Sequence, residues 1–447
     1  MASGITRQAM LRHRWTLIGP AITQMTGAAI IATMIAANSS ISRSLTPSQL
    51  QNVDLVDLRD ATIVFLGISI YMLIIIVGVT MNLAMSRQMR DIALLRSIGA
   101  SPGQVRRCLA RQAAIIAAPA ATIGFFLSLP VCHFWLELLR AHGALPQNVT
   151  YVATPIALPI VIGICLVTSV VGTLIAVIPA SRRPPNTALV RASIGNLRIS
   201  ATRTIIGFLL VGAGISASIV LTKTSSEHAG DAALFVILAE CIGMGMVAPL
   251  CIRFVTKSLN ALPSKHTLRL AVDDLDTITR SLSGALIPLI LAVGFTAVKI
   301  GGFGTIMHST HHHPAPEALW LEYSGTAVYG IFAAVAALNC LITISIARRR
   351  NLSVMQLAGA RRSTLVSMAA IQTLIITGLG LAMAAIVALA TLAPMMHQAA
   401  HTWVPYFSPA TLTAGVGVTL GLVAAGLVLP TLMLTRKRPI AVLIAED

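Results

Sequence analysis

Runs of apolar residues long enough to cross a lipid bilayer constrain this chain more than any other feature. A spanning helix needs about 20 mostly apolar residues. Ten such runs recur, at 16–36, 61–85, 113–133, 155–179, 204–222, 232–252, 283–303, 324–346, 366–394 and 409–434. Prolines inside several of them (Pro20, Pro119, Pro159, Pro288) are compatible with spanning helices, because neighbouring helices can satisfy the freed backbone groups. With 56% hydrophobic and 11% charged residues, the chain also lacks the polar groups that a water-exposed surface needs. The expected fold is all-α, a polytopic membrane protein of about ten transmembrane helices.

A net charge of +17 would fit nucleic-acid binding, but its distribution excludes that reading. Only Arg43, Arg59, Arg140, Lys223 and Lys299 fall on or near the side holding the odd-numbered gaps between spans. The other 27 of the 32 lysines and arginines cluster on the opposite side, at Arg7–Arg14, Arg87–Arg111, Arg182–Arg203, Arg253–Arg280, Arg348–Arg362 and Arg436–Arg438. This is the positive-inside asymmetry, which predicts both termini in the cytoplasm and attraction to anionic membrane lipids. The charged stretch before the first span reads as an interfacial helix leading into a retained span, not a cleaved signal peptide. The six cysteines (108, 132, 165, 241, 251, 340) show no CxxC spacing and read as small apolar packing residues.

A repeat organises the chain. "RQMRDIALLRSIGASPGQVRRCLARQAAII" (87–116) and "ARRRNLSVMQLAGARRSTLVSMAAIQTLII" (347–376) align at a constant offset of 260 with seven identities, among them Arg90/Arg350, Gly99/Gly359 and Gln112/Gln372. Each copy lies between the second and third spans of a four-span group. The predicted organisation is a first unit at 1–200 (spans 1–4), a two-span linking hairpin at 201–255, and a second unit at 256–447 (spans 7–10), with the two units parallel. In each copy a short helix is expected, apolar through Ile92, Leu94, Leu95 and Ile98 or Leu352, Val354, Met355 and Ala358. Its basic face would carry Arg87, Arg90 and Arg96 or Arg348, Arg349 and Arg350. Gly99 and Gly359 suit the left-handed position that ends a helix. Such a helix could lie flat on the bilayer or dock a soluble partner; two copies in equivalent loops with the same glycine favour docking. Ahead of span 7, "LRLAVDDLDTITRS" has an amphipathic rhythm and is expected along the inner interface.

These motifs resemble the FtsX/MacB-type permease of ABC transporters, in the long form that carries two permease units in one chain. Asn351 stands where copy one has Asp91, Gln356 where it has Arg96, and Gln112 and Gln372 where the family commonly has an acid. The resemblance implies coupling helices seated on a homodimer of a cytoplasmic ABC ATPase. The contact residues would be Arg87, Arg90, Asp91, Leu94, Arg96 and Gly99, with Arg350, Asn351, Val354, Gln356 and Gly359 in the second copy. ATP and Mg would bind the partner, because this chain has no GxxxxGK[ST] phosphate loop and so no ATPase machinery of its own; no cofactor is expected on it. The implied task is export or extraction of an amphipathic substrate (an antimicrobial peptide, drug or lipid-linked molecule) across a bacterial cell membrane. The alternative is a force-transmitting regulator that activates an extracytoplasmic enzyme or a sensor kinase. Long-form members often carry a large outer domain, whereas the longest outer loops here are about two dozen residues (38–61, 134–154, 304–323).

The remaining polar residues carry weaker signals. His308, His311, His312 and His313 lie close to Glu317, a pattern compatible with metal or with a pH-sensitive gate. Adjacent histidines converge poorly on one ion, so a solvated loop is expected and no metal site is assigned. Glu240 is the one acid well inside a span, where an ionisable group is a functional candidate by default. With Gln112 and Gln372 it is the candidate intramembrane polar site, and Gln24, Gln372 and Lys299 are its candidate partners. Too few such groups exist to favour a proton-coupled carrier, and no nucleophile–base pattern stands out.

Overall fold

The computed structural model describes residues 14–44, 53–87, 99–145, 149, 151–152, 154–181, 201–223, 229–261, 266–310, 315–400 and 402–436. Among them are twelve helices and no strand. They are α1 (Arg14–Ser44), α2 (Val53–Arg87), α3 (Pro102–Ala141), α4 (Ala157–Ser181), α5 (Ala201–Lys223), α6 (Ala229–Asn260), α7 (His266–Thr277), α8 (Thr279–Thr310), α9 (Pro316–Ala347), α10 (Arg349–Leu357), α11 (Arg362–Ala400) and α12 (Pro409–Leu434). Ten are long and apolar enough to cross a membrane; nine contain one of the predicted runs whole, and α4 begins two residues into its run. The protein is an all-helical, multi-pass membrane protein.

Several helices extend beyond their apolar runs because charged or amphipathic turns continue them. α3 starts at the basic end, where Ser101 and Gln104 form a reciprocal capping box: Gln104 N donates to Ser101 Oγ (3.3 Å) and Ser101 N to Gln104 Oε1 (2.9 Å). Pro102 at the first helical position loses nothing, since its amide would have no partner there. The stretches expected as outer loops are partly helical for the same reason, with α1 reaching Ser44 and α3 reaching Ala141.

Packing divides the chain into two compact units, within Met1–Asn196 plus His313–Phe332, and within Leu197–His312 plus Ala333–Asp447. In unit 1, α1 packs against α2, α3 and α4. α3 approaches it so closely that a Cβ on Gly124 would lie 2.3 Å from the carbonyl oxygen of Met25, the small-residue contact that lets membrane helices meet backbone to backbone. The first half of α9 belongs to this unit. Tyr329 Oη donates to the Phe65 carbonyl (2.7 Å) and Trp135 Nε1 to Ser324 Oγ (3.2 Å).

In unit 2, α11 is the central helix, with α5, α6, α7, α8 and α12 against it. The linking pair α5–α6 belongs here. Its two helices meet at Gly207 and Gly243, where a Cβ on either would be 2.9 Å from the other's carbonyl oxygen.

Candidate functional site

The second copy of the repeated segment forms α10, a two-turn helix one residue after α9 and clipped between it and α11. Its end follows from its sequence. Gly359 adopts φ +96°, Ala360 N donates to Met355 O (2.9 Å) and Gly359 N to Gln356 O (3.1 Å), the Schellman arrangement with glycine at the left-handed position. In the first copy Gly99 adopts φ +101°, the left-handed conformation expected at that position.

One side of α10 is anchored. Leu352 is buried with Ala271 of α7 and Leu365 and Met368 of α11, and Met355 and Leu434 pack against the cluster. Beside it lies a buried polar network. Arg348, in the link between α9 and α10, ion-pairs with Asp274 of α7. Arg348 Nη1 also donates to Gln372 Oε1 (3.1 Å). Gln372 Nε2 in turn donates to Asp274 Oδ2 (2.8 Å) and to the Ala271 carbonyl (3.1 Å). Exposures of 8%, 7% and 1% for Arg348, Asp274 and Gln372 mean that water contributes little. Burial lowers the Arg348 guanidinium to about 10, which still leaves it charged at neutral pH. A buried ion pair adds little net stability, but removing one partner strands the other at about 3–5 kcal/mol. The network therefore fixes α10 to α7 and α11.

The other side of α10 is open. Arg350 and Asn351 are exposed, and Val354 and Leu357 are 51% and 53% exposed. Arg361 and Arg362 continue the exposed strip past Gly359, so two apolar side chains sit among cations. Gln356 is half-buried and donates to the Thr435 carbonyl (3.4 Å).

Of the predicted contact residues, Arg350, Asn351, Val354 and Gly359 are therefore accessible and Gln356 only partly so. The helical spacing misplaces three residues. Val354 and Ala358 were expected on the apolar face and are exposed, while Arg348 was expected on the basic face and is buried. The reason is Asp274, a carboxylate in the wall against which α10 packs. Asp274 itself carried a signal: it falls on the apolar stripe of α7 between Ala271 and Leu275, where a buried acid requires a partner. Arg90, Asp91, Leu94, Arg96 and the Arg87 side chain lie outside the described residues.

Within unit 2, Glu240 and Gln372 do not meet. Glu240 is 1% exposed and accepts from Thr391 Oγ1 (2.6 Å). Its side chain packs onto Gly214, where a Cβ would lie 2.3 Å from Glu240 Cγ. Thr391 lies 19 residues beyond Gln372 on α11, about 28 Å along the helix. Thr391 takes the role for which Gln24, Gln372 and Lys299 were candidates; Gln24 instead donates to the Cys165 carbonyl (2.6 Å). Gln112 belongs to unit 1, is buried, and its Nε2 has no hydrogen-bond partner among the described residues. His308 stacks on Tyr406 at 4.0 Å, His311–His313 lie outside the described residues, and no group of metal-ligating side chains is found among those described.

Ten spans and a clipped amphipathic helix at the basic end define a multi-pass helical membrane protein. The FtsX-like permease C-terminal family matches the chain twice, at residues 63–185 and 326–439, each match containing one copy of the repeat and the spans around it. The chain belongs to the FtsX-like permease family. No curated protein matches it.

Proposed function

We propose that this chain is the non-catalytic membrane subunit of an ABC transporter, driven by a homodimer of a separate cytoplasmic ATPase that binds ATP and Mg. It would export or extract an amphipathic substrate at a bacterial cell membrane, with both termini cytoplasmic. One observation supports this most: α10 presents an exposed strip of cations and apolar side chains on one side while its other side is fixed to α7 and α11. A helix held only at the lipid surface would move alone. Fixed through Arg348, Asp274 and Gln372, α10 would carry α11 with it, and α11 spans the membrane.

Docking through this face is tested by co-purifying the chain with its cognate ABC ATPase. Arg350→Glu combined with Leu357→Asp removes a cation and an apolar contact at exposed positions, so the fold survives while recovery of the ATPase falls about tenfold or more. Unchanged recovery and unchanged nucleotide turnover would overturn the docking role. In liposomes, turnover raised by an amphipathic compound supports export, whereas turnover raised only by a protein partner assigns the chain to force transmission.

A further inference from the structure

We propose that unit 1 carries, at its end away from the basic clusters, a binding site for a phospholipid headgroup bearing an ammonium, with the phosphate on Arg140 and Tyr151 and the ammonium on Glu137. A cavity of about 340 Å³ there is lined by His133, Leu136, Glu137, Arg140 and Tyr151, within the usual range of about 300–1,000 Å³ for ligand clefts.

Its depth follows from α3. Between Arg111 and His133 that helix carries 21 residues without a charge, about 32 Å of rise, which matches a hydrocarbon core of about 30 Å. His133 therefore marks the hydrocarbon boundary, and Glu137 and Arg140 reach one and two turns further, to headgroup level. The three lie on one stripe of the helix at i, i+4 and i+7. Phe126, two turns before His133 on the same stripe, is 59% exposed and offers an apolar track for acyl chains.

Two buried donors in the cavity lack acceptors. Arg140 Nη2 donates to the Val149 carbonyl (2.6 Å), which orients the guanidinium. Its buried Nε has no hydrogen-bond partner among the described residues, and neither has the buried Tyr151 hydroxyl. Burial raises the Tyr151 phenol, so it remains a protonated donor. An unmatched buried donor is costly, and phosphate oxygens would satisfy both. Glu137 pairs with His133 Nε2 at 3.1 Å, yet its side chain is 55% exposed and open to a second cation. A lipid with phosphate but no ammonium would meet that carboxylate unfavourably, so Glu137 sets the selectivity.

The test is native mass spectrometry of the full chain in detergent, titrated with phosphatidylethanolamine or phosphatidylglycerol, with soluble glycerophosphoethanolamine as competitor. Wild type is expected to hold phosphatidylethanolamine about tenfold more tightly, the low end for a charge-assisted hydrogen bond. Glu137→Gln should erase that preference. Tyr151→Phe keeps the ring and should weaken both lipids several-fold at unchanged preference. Competition by the soluble headgroup at equal concentration would assign the site to a free phosphoamine; failure to compete assigns it to the intact lipid. If neither variant changes occupancy, or if wild type shows no preference, the site is overturned. A response to Tyr151→Phe alone would leave a phosphate site and overturn the ammonium assignment. The binding needs neither nucleotide nor ATPase, so its failure and that of the motor-docking reading are separable.

Discussion

The two repeated segments share a register but not the residues of the Arg348–Asp274 pair. At the position of Gln372 the first copy also has a buried glutamine, Gln112, and both copies carry a glycine with φ near +100°. In the second copy the glutamine amide accepts from Arg348 and donates to Asp274. In the first, the register of Arg348 is held by Gln88, and no acid occurs between residues 1 and 53, where the approach to the second unit has Asp273, Asp274 and Asp276. A neutral amide explains the second arrangement: it can serve a cation and a carboxylate at once, whereas an acid in its place would set two negative charges beside one arginine. The Arg348–Asp274 pair that fixes α10 thus has no counterpart at the same register of the first copy.

The largest effects should follow from breaking that anchor. Arg348→Ala strands the Asp274 carboxylate, and Asp274→Ala strands the guanidinium; each should cost about 3–5 kcal/mol, read as a lowered midpoint in thermal unfolding of the detergent-solubilised chain. Arg348→Leu combined with Asp274→Leu removes both charges and should recover most of that loss, since well-packed apolar replacements of buried pairs are often neutral. If the double variant is as unstable as the singles, the ion pair is not what fixes α10.

A smaller effect separates the two glutamines. Gln372→Leu deprives Asp274 and Arg348 of one hydrogen bond each and should cost about 2 kcal/mol, while Gln112→Leu removes an amide whose Nε2 has no partner among the described residues and should cost less than about 0.5 kcal/mol or stabilise. The same thermal measurement compares them, and equal losses would mean that Gln112 is as firmly bonded as Gln372.

The spans, the repeat and the glycine stops were legible in the sequence because each is local: an apolar run of membrane length, a fixed offset, a residue that tolerates positive φ. The buried network was not, because it joins residues 274, 348 and 372 across three elements, and neighbouring arginines at 348–350 look alike until a facing carboxylate distinguishes the first. Periodicity placed Val354 on the packed face for the same reason. It finds a stripe of apolar residues but cannot weigh a buried charge against it. Glu240 was legible as unusual, but its partner Thr391 was not, since threonines are frequent in these spans and most bond their own helix, as Thr373 does to Ala369.

The smallest effect tests what the copies have in common. A Cβ on Gly99 or on Gly359 would meet nothing within 4 Å, so alanine at either position adds no clash and only the strain of the left-handed backbone, about 1 kcal/mol. Gly359→Ala and Gly99→Ala should therefore lower thermal stability by the same small amount. If Gly359→Ala costs much more, distortion of the stop has reached Leu352 and the Arg348 network, and the end of α10 is coupled to its anchor. If the two match, each glycine is a local stop, and the asymmetry between the copies resides in the network alone.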